Sequence, residues 1–204
     1  KNGNLTGQHV VTSLKTSKTF DRTNQITLPG LAVNTAAGGK NTVQFWMYWD
    51  GTDNIMPFGW DYAYDLFLYN GYFGFNTGES NVLGVPSTGL KNMWVQVTAI
   101  FSNGVPDATN CALYLNGVKQ TLTQALGATT IARSASSNGY FSGWGTDTGY
   151  KFSGKLADLR IWNRELTSQE IQSNNYKTLT GSESGLLGEW QVSDQPVSSM
   201  TFNR

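Results

Sequence analysis

Apolar and polar residues alternate over short stretches of this chain, and clusters of Gly, Asn, Pro and Ser separate the stretches. That pattern marks strands with one buried face. The clearest are TVQFWMYW (42–49), DLFLY (65–69), YFGFN (72–76), MWVQVTAIF (93–101), CALYLN (111–116) and GVKQTL (117–122). A single segment reads as helical, NRELTSQEIQSNNY. There Thr167 or Ser168 can cap, Glu170 falls in the first turn, and Ile171 takes the buried side. Strands without interleaved helices predict an all-β fold. The expectation is a two-sheet antiparallel β-sandwich, or jelly roll, with one short helix near the C-terminus. No linker, low-complexity tract or repeat interrupts the chain, so residues 1–204 read as one domain.

Two hairpins follow from turn chemistry. Asn-Gly suits a two-residue type I′ turn, because both positions accept positive φ. The pair occurs at Asn70-Gly71 and again at Asn116-Gly117. Asn103-Gly104 is soon followed by Pro106, which predicts a longer connection. In the first hairpin the turn sets Tyr69 opposite Tyr72, Phe67 opposite Gly74 and Asp65 opposite Asn76. The other face then carries Leu66, Leu68, Phe73 and Phe75 and must be the core. A slip of one residue would bury Asp65 and Asn76 without partners, which fixes the register.

The face bearing Asp65, Phe67, Tyr69, Tyr72 and Asn76 has the chemistry of a sugar site. Rings stack on sugar C–H patches, while Asp and Asn exchange hydrogen bonds with hydroxyls. Gly74 would leave the space over Phe67 open. The same residues would equally suit a sheet face covered by a loop. Two tryptophans extend the pattern. Trp144 stands between glycines beside the loop containing Asp147, and Trp60 precedes Asp61 in FGWDYAYD. Each is expected either to wait for a ligand or to plug the end of the sandwich.

Composition narrows the function classes. Lys+Arg and Asp+Glu both number 14, giving zero formal net charge. A nucleic-acid binder would need a basic face. No apolar run approaches the ~20 residues of a membrane-spanning helix. Charged residues make up 14% of the chain and aromatic residues 13%. A neutral polar surface of this kind suits an extracellular or cell-surface protein. The chain opens at Lys1 without a visible signal peptide, as expected of a processed protein or a domain cut from a longer one. Cys111 is the lone cysteine and reads as a small buried side chain. His9 is the lone histidine, so no zinc site assembles by spacing.

Several segments together resemble a known family. MWVQVTAIFSNG followed by CALYLNGVKQ resembles the Trp-containing strand and Asn-Gly hairpin of laminin-G-like domains, in the concanavalin A-like lectin/glucanase superfamily. KTFDRTNQITLPG is similar to the opening segment of that family, with Arg22 where a glycine is usual. TVQFWMYW, FSGKLADLRIWNRELTSQEI and SGLLGEW resemble its later segments, in the family's order.

The resemblance implies a jelly roll that binds glycans or proteins rather than one that catalyses. It also implies a possible structural calcium near a sheet rim, for which Asp158, Asp21 and Asp147 are the candidates. Ala157 replaces one half of the family's acidic pair beside Asp158. The paired-carboxylate motif of the related glucanases, Glu-x-Asp-x-x-Glu, is absent. Only a distant pair such as Asp61 with Asp65 is left for glycoside hydrolysis. The expected function is therefore a non-catalytic carbohydrate-binding module, with a glycan or glycoprotein as partner. The alternative is a receptor-binding or assembly domain of an adhesin, toxin or phage fibre.

Overall fold

A computed structural model describes residues 16–61, 63–145 and 149–194. His9 and Asp147 lie outside the described residues. The chain forms two antiparallel sheets packed face to face. In the first, β1 (Lys18–Asp21) pairs with β13 (Ser153–Trp162), followed by β3 (Lys40–Trp49), β8 (Trp94–Ser102), β9 (Ala112–Leu115) and β10 (Val118–Lys119). A further strand, β14 (Leu186–Trp190), pairs with the second half of β13. The second sheet runs β11 (Thr123–Leu126), β7 (Val82–Pro86), β6 (Tyr72–Asn76), β5 (Tyr64–Tyr69), β4 (Ile55–Trp60), β12 (Gly139–Phe141) and β2 (Ile26–Leu28). This is the predicted jelly roll. GVKQTL is the one quoted strand that shrinks markedly, to Val118–Lys119.

Alternation decides what each strand buries. Val43, Phe45 and Met47 of β3 and Val95, Val97, Ala99 and Phe101 of β8 point inward from the first sheet. Leu66 and Leu68 of β5 and Phe73 and Phe75 of β6 meet them from the second. Phe101 sits at the centre of this core. It makes edge-on contacts with Tyr64 at 4.9 Å and Phe75 at 5.1 Å between ring centroids. Such geometry favours aromatic pairs over flat stacking. Cys111 is buried in the same core, with its Sγ 3.6 Å from the Tyr64 hydroxyl.

Helix α1 (Ser168–Asn174) closes part of the first sheet from outside. Thr167 is its N-cap, and Thr167 and Glu170 form a reciprocal capping box. Ile171, Leu166 and Leu179 bury Ile100, Tyr114 and Trp162 on that face. The family's usual glycine position also finds a physical reason. Arg22 has φ 70°, a left-handed conformation that glycine adopts freely. For an L side chain this conformation costs about 1–2 kcal/mol. Two hydrogen bonds offset it, from Arg22 N to Phe152 O and from Nη2 to Gly149 O.

Candidate functional site

The hairpin of β5 and β6 has the register that its turn dictates. Tyr69 pairs with Tyr72, Phe67 with Gly74, and Asp65 with Asn76. Asn70 and Gly71 both have positive φ, 48° and 80°, as a type I′ turn requires. Five predicted site residues, Asp65, Phe67, Tyr69, Tyr72 and Asn76, thus share the outer face of the second sheet.

That face is covered at one end. The 142–145 stretch is bonded to β4 through Ser142 N to Pro57 O and Gly143 N to Met56 O, and Tyr150 O accepts from Met56 N. This segment lays Trp144 over Gly59, where a Cβ would stand 2.7 Å from the Trp144 Cβ and 3.1 Å from the Asp65 Cβ. Asp65 and Asn76 are consequently buried; Asn76 Nδ2 donates to both Asp65 oxygens, and Asn76 Oδ1 accepts from Gly78 N. Burial pushes the Asp65 carboxyl well above the usual carboxylate range, against the pull of Asn76 and the Arg133 charge. Neither residue is available to a ligand. Phe67 is buried too, stacked on Tyr69 at 4.8 Å and met edge-on by Tyr150 at 5.8 Å.

Two further expectations are corrected. Trp60 ends a strand whose alternation turns Phe58 and Trp60 inward and Gly59 outward. It is fully buried against Phe58 and Phe101, with no hydrogen-bond partner for its indole nitrogen. It is a core residue rather than a ligand contact. Gly74 does not open a space over Phe67. A Cβ there would run into Leu83 O and come within 2.5 Å of the Gly84 Cα. The glycine instead permits a close approach of β6 to β7.

What stays reachable is a strip. Tyr69, Tyr72, Trp144 and Tyr150 are half-buried and pack around Met56, Phe67 and Val82. Just beyond Trp144 lies half-buried Asp61, which a Cβ at Gly145 would approach to 3.9 Å. Asp61 accepts hydrogen bonds from Tyr140 Oη at 2.6 Å, Asn138 Nδ2 at 2.9 Å and Ser136 Oγ at 3.2 Å. Sequence reading missed Tyr150, Ser136, Asn138 and Tyr140. Their assembly depends on chain segments far apart in sequence.

Two of the three calcium candidates, Asp158 and Asp21, stand apart and hold other partners, and the third, Asp147, lies outside the described residues. Asp158 sits at a bulge of β13 with φ 50°, forms an ion pair with Arg160 at 2.9 Å, and accepts from Gln191 Nε2 at 2.8 Å. Arg160 also holds Glu189 at 2.9 Å, so this carboxylate pair is already neutralised in part by a guanidinium. Asp21 pairs with Ser153 at the start of β13, away from Asp158, and accepts from the backbone and hydroxyl of Thr23. Among the described residues no group of three or more His, Cys, Asp and Glu gathers to hold a metal. The Asp61 and Asp65 pair is likewise unfit for hydrolysis, since Asp65 is sealed beneath Trp144 and bonded to Asn76.

Comparison with known proteins places the fold. A family model described as the concanavalin A-like lectin/glucanases superfamily matches residues 20–172. The chain is similar to a candidate carbohydrate binding protein from Bacteroides ovatus ATCC 8483. That match has 17% identity and a TM-score of 0.64, and covers 91% of this chain and 54% of the other. The chain thus spans about half the length of that structure. It is also similar to domain 4 of AbnA, an extracellular arabinanase of Geobacillus stearothermophilus, solved with arabinotriose. Here identity is 17%, the TM-score is 0.48, and coverage is 77% and 75%. A pentraxin from Limulus polyphemus matches at 15% identity with a TM-score of 0.44, covering 74% and 82%. A search of curated proteins returns no match. Among the described residues no helix is long and apolar enough to cross a membrane. With a family match across most of its length and the two-sheet jelly roll to go with it, the chain belongs to the laminin-G-like group of the concanavalin A-like lectin/glucanases superfamily.

Proposed function

We propose that this chain is a non-catalytic carbohydrate-binding module of an extracellular protein. The observation that carries the reading is the half-exposed strip of Tyr69, Tyr72, Tyr150 and Trp144, which runs over buried Phe67 toward Asp61. Rings in series offer stacking surfaces to successive sugars, and the Asp61 cluster offers a charged acceptor at one end. A rigid sheet holds the rings in place before a ligand arrives, which limits the entropy lost on binding. The shared fold with the Bacteroides ovatus protein supports the reading at the level of architecture.

The test is affinity electrophoresis through gels carrying arabinan, xylan, mannan or β-glucan, followed by calorimetry with oligosaccharides of the retarding polymer. Tyr72→Ala should weaken binding about tenfold, or ~1.4 kcal/mol, with the fold intact. Binding by the wild type to none of these polymers, together with binding to a deglycosylated protein receptor, would replace the carbohydrate reading with the receptor-binding one.

A further inference from the structure

The outer face of the first sheet is divided. Helix α1 covers the part around Ile100, Tyr114 and Trp162. The remaining part presents a second set of rings. Tyr48 of β3 is the direct partner of Trp94 of β8, and their rings lie 5.7 Å apart at 58°. Both are half-buried. One row along, Trp46 pairs with Gln96, and the Tyr176 ring lies 6.0 Å from the Trp46 ring at 49°. Tyr176 is 59% exposed and Met93, just before Trp94, 49%. This pattern was legible in TVQFWMYW and MWVQVT. Once Val43, Phe45, Met47 and Val95, Val97 point inward, Trp46, Tyr48, Trp94 and Gln96 must point out.

Polar groups interleave with these rings. Gln44, Gln96, Asp158 and Arg160 line a narrow cleft beside Trp46. Gln44 is 2% exposed, and its Nε2 bonds Thr98 Oγ1 and Asn175 Oδ1. Its Oε1 is buried without any hydrogen-bond partner. Such an orphan costs about 1–3 kcal/mol and calls for an explanation. The cleft has no room for a water-sized sphere. A ligand therefore lies across the exposed rings and leaves the cleft closed.

Tyr48 and Trp94 stand half-exposed side by side with exposed Tyr176 nearby, and they offer ring faces to the C–H patches of a sugar beside Gln44 Oε1, which is buried without a partner. We infer that Tyr48, Trp94 and Tyr176, over buried Trp46, form a second saccharide-binding face, so that one domain holds two glycan chains on opposite sides. This inference rests on the carbohydrate reading above.

The experiment compares the wild type, Tyr72→Ala, Trp94→Ala and the double variant on the retarding polysaccharide, with circular dichroism confirming the fold. Tyr48→Ala replaces Trp94→Ala should the latter not fold. Calorimetry should count two oligosaccharide sites on the wild type, one on each single variant and none on the double variant. The wild type alone should cross-link the soluble polymer into a turbid network. Two sites retained by Trp94→Ala and by Tyr48→Ala would overturn the second face while leaving the Tyr72 face standing. Loss of binding confined to Trp94→Ala would uphold the second face and overturn the first. Absence of wild-type binding to every polymer would overturn both.

Discussion

Asn76 clamps Asp65 across the hairpin: its Nδ2 reaches both carboxyl oxygens, at 3.1 and 2.9 Å, in a place closed to solvent. Because burial raises the Asp65 pKa, the folded protein keeps a proton there that the unfolded chain loses near pH ~3.9. The folded state then binds more protons than the unfolded one, and stability falls as pH climbs from about 4 toward the raised folded value. Asp65→Asn carries no such proton. Its urea midpoint should gain on that of the wild type as pH rises through this window. A midpoint difference that does not change with pH would show that Asp65 titrates normally in the folded protein.

Gly74→Ala separates packing from ligand access. The added methyl would meet Leu83 O and the Gly84 Cα of the neighbouring strand. Overpacking of this kind costs about 1–3 kcal/mol, or a melting temperature lower by roughly 3–10 °C in a chain of this size. A variant with unchanged melting and weakened sugar binding would restore the open-space role first expected of Gly74.

The two tryptophans flanking the strip should behave oppositely. Trp60→Phe should lower stability by about 1–3 kcal/mol and leave saccharide affinity unchanged, because the ring lies wholly inside the sandwich. Trp144→Ala should weaken binding about tenfold, since its half-exposed ring belongs to the strip. Thermal melts and calorimetry on the same preparations distinguish these outcomes.

At the helix, Glu170 accepts from Arg164 Nη2 at 2.7 Å and Nη1 at 3.0 Å, and also from the Thr167 backbone. The Arg164 hydrogen bonds lead in lowering its carboxyl to about 2. A lowered folded pKa stabilises above the unfolded value, ~4.3, and the gain disappears as pH falls toward 2. Both side chains are about a third exposed, so Glu170→Gln should cost only about 0.5–1 kcal/mol at pH 7. The difference should shrink as pH falls toward 2 and vanish below it. Thr167→Ala should cost about 1 kcal/mol at pH 7, and part of that cost should fade with Glu170 protonation, because the Thr167 hydroxyl also donates to that carboxylate.

The hairpin register was legible because an Asn-Gly turn leaves one pairing, and the apolar pattern of Leu66, Leu68, Phe73 and Phe75 selects the same one. The helix cap was legible for similar local reasons. The burial of Asp65, Phe67 and Asn76 was not, because Trp144 and Tyr150 arrive from far along the chain to cover this face. Trp60 was misjudged because its neighbour Asp61 suggested a ligand site, although Phe58 two residues earlier already set its side of the sheet. The aromatic face of Trp46, Tyr48 and Trp94 was written in plain alternation and escaped notice only beside the denser run at Phe58–Gly78.

The placement of the indole rings also makes the molecule its own spectroscopic gauge. Trp60 and Trp162 are fully enclosed and should emit at short wavelength, untouched by dissolved quenchers. Trp94 and Trp144 are half-exposed on opposite sheets, so each outer surface carries its own fluorophore. Trp190 of β14 is half-exposed as well, so in a Trp190→Phe background shielding from iodide on adding sugar would register occupancy at Trp144 with Trp94 replaced, and at Trp94 with Trp144 replaced. Light emission can therefore follow the two sides of the sandwich one at a time, with no label attached.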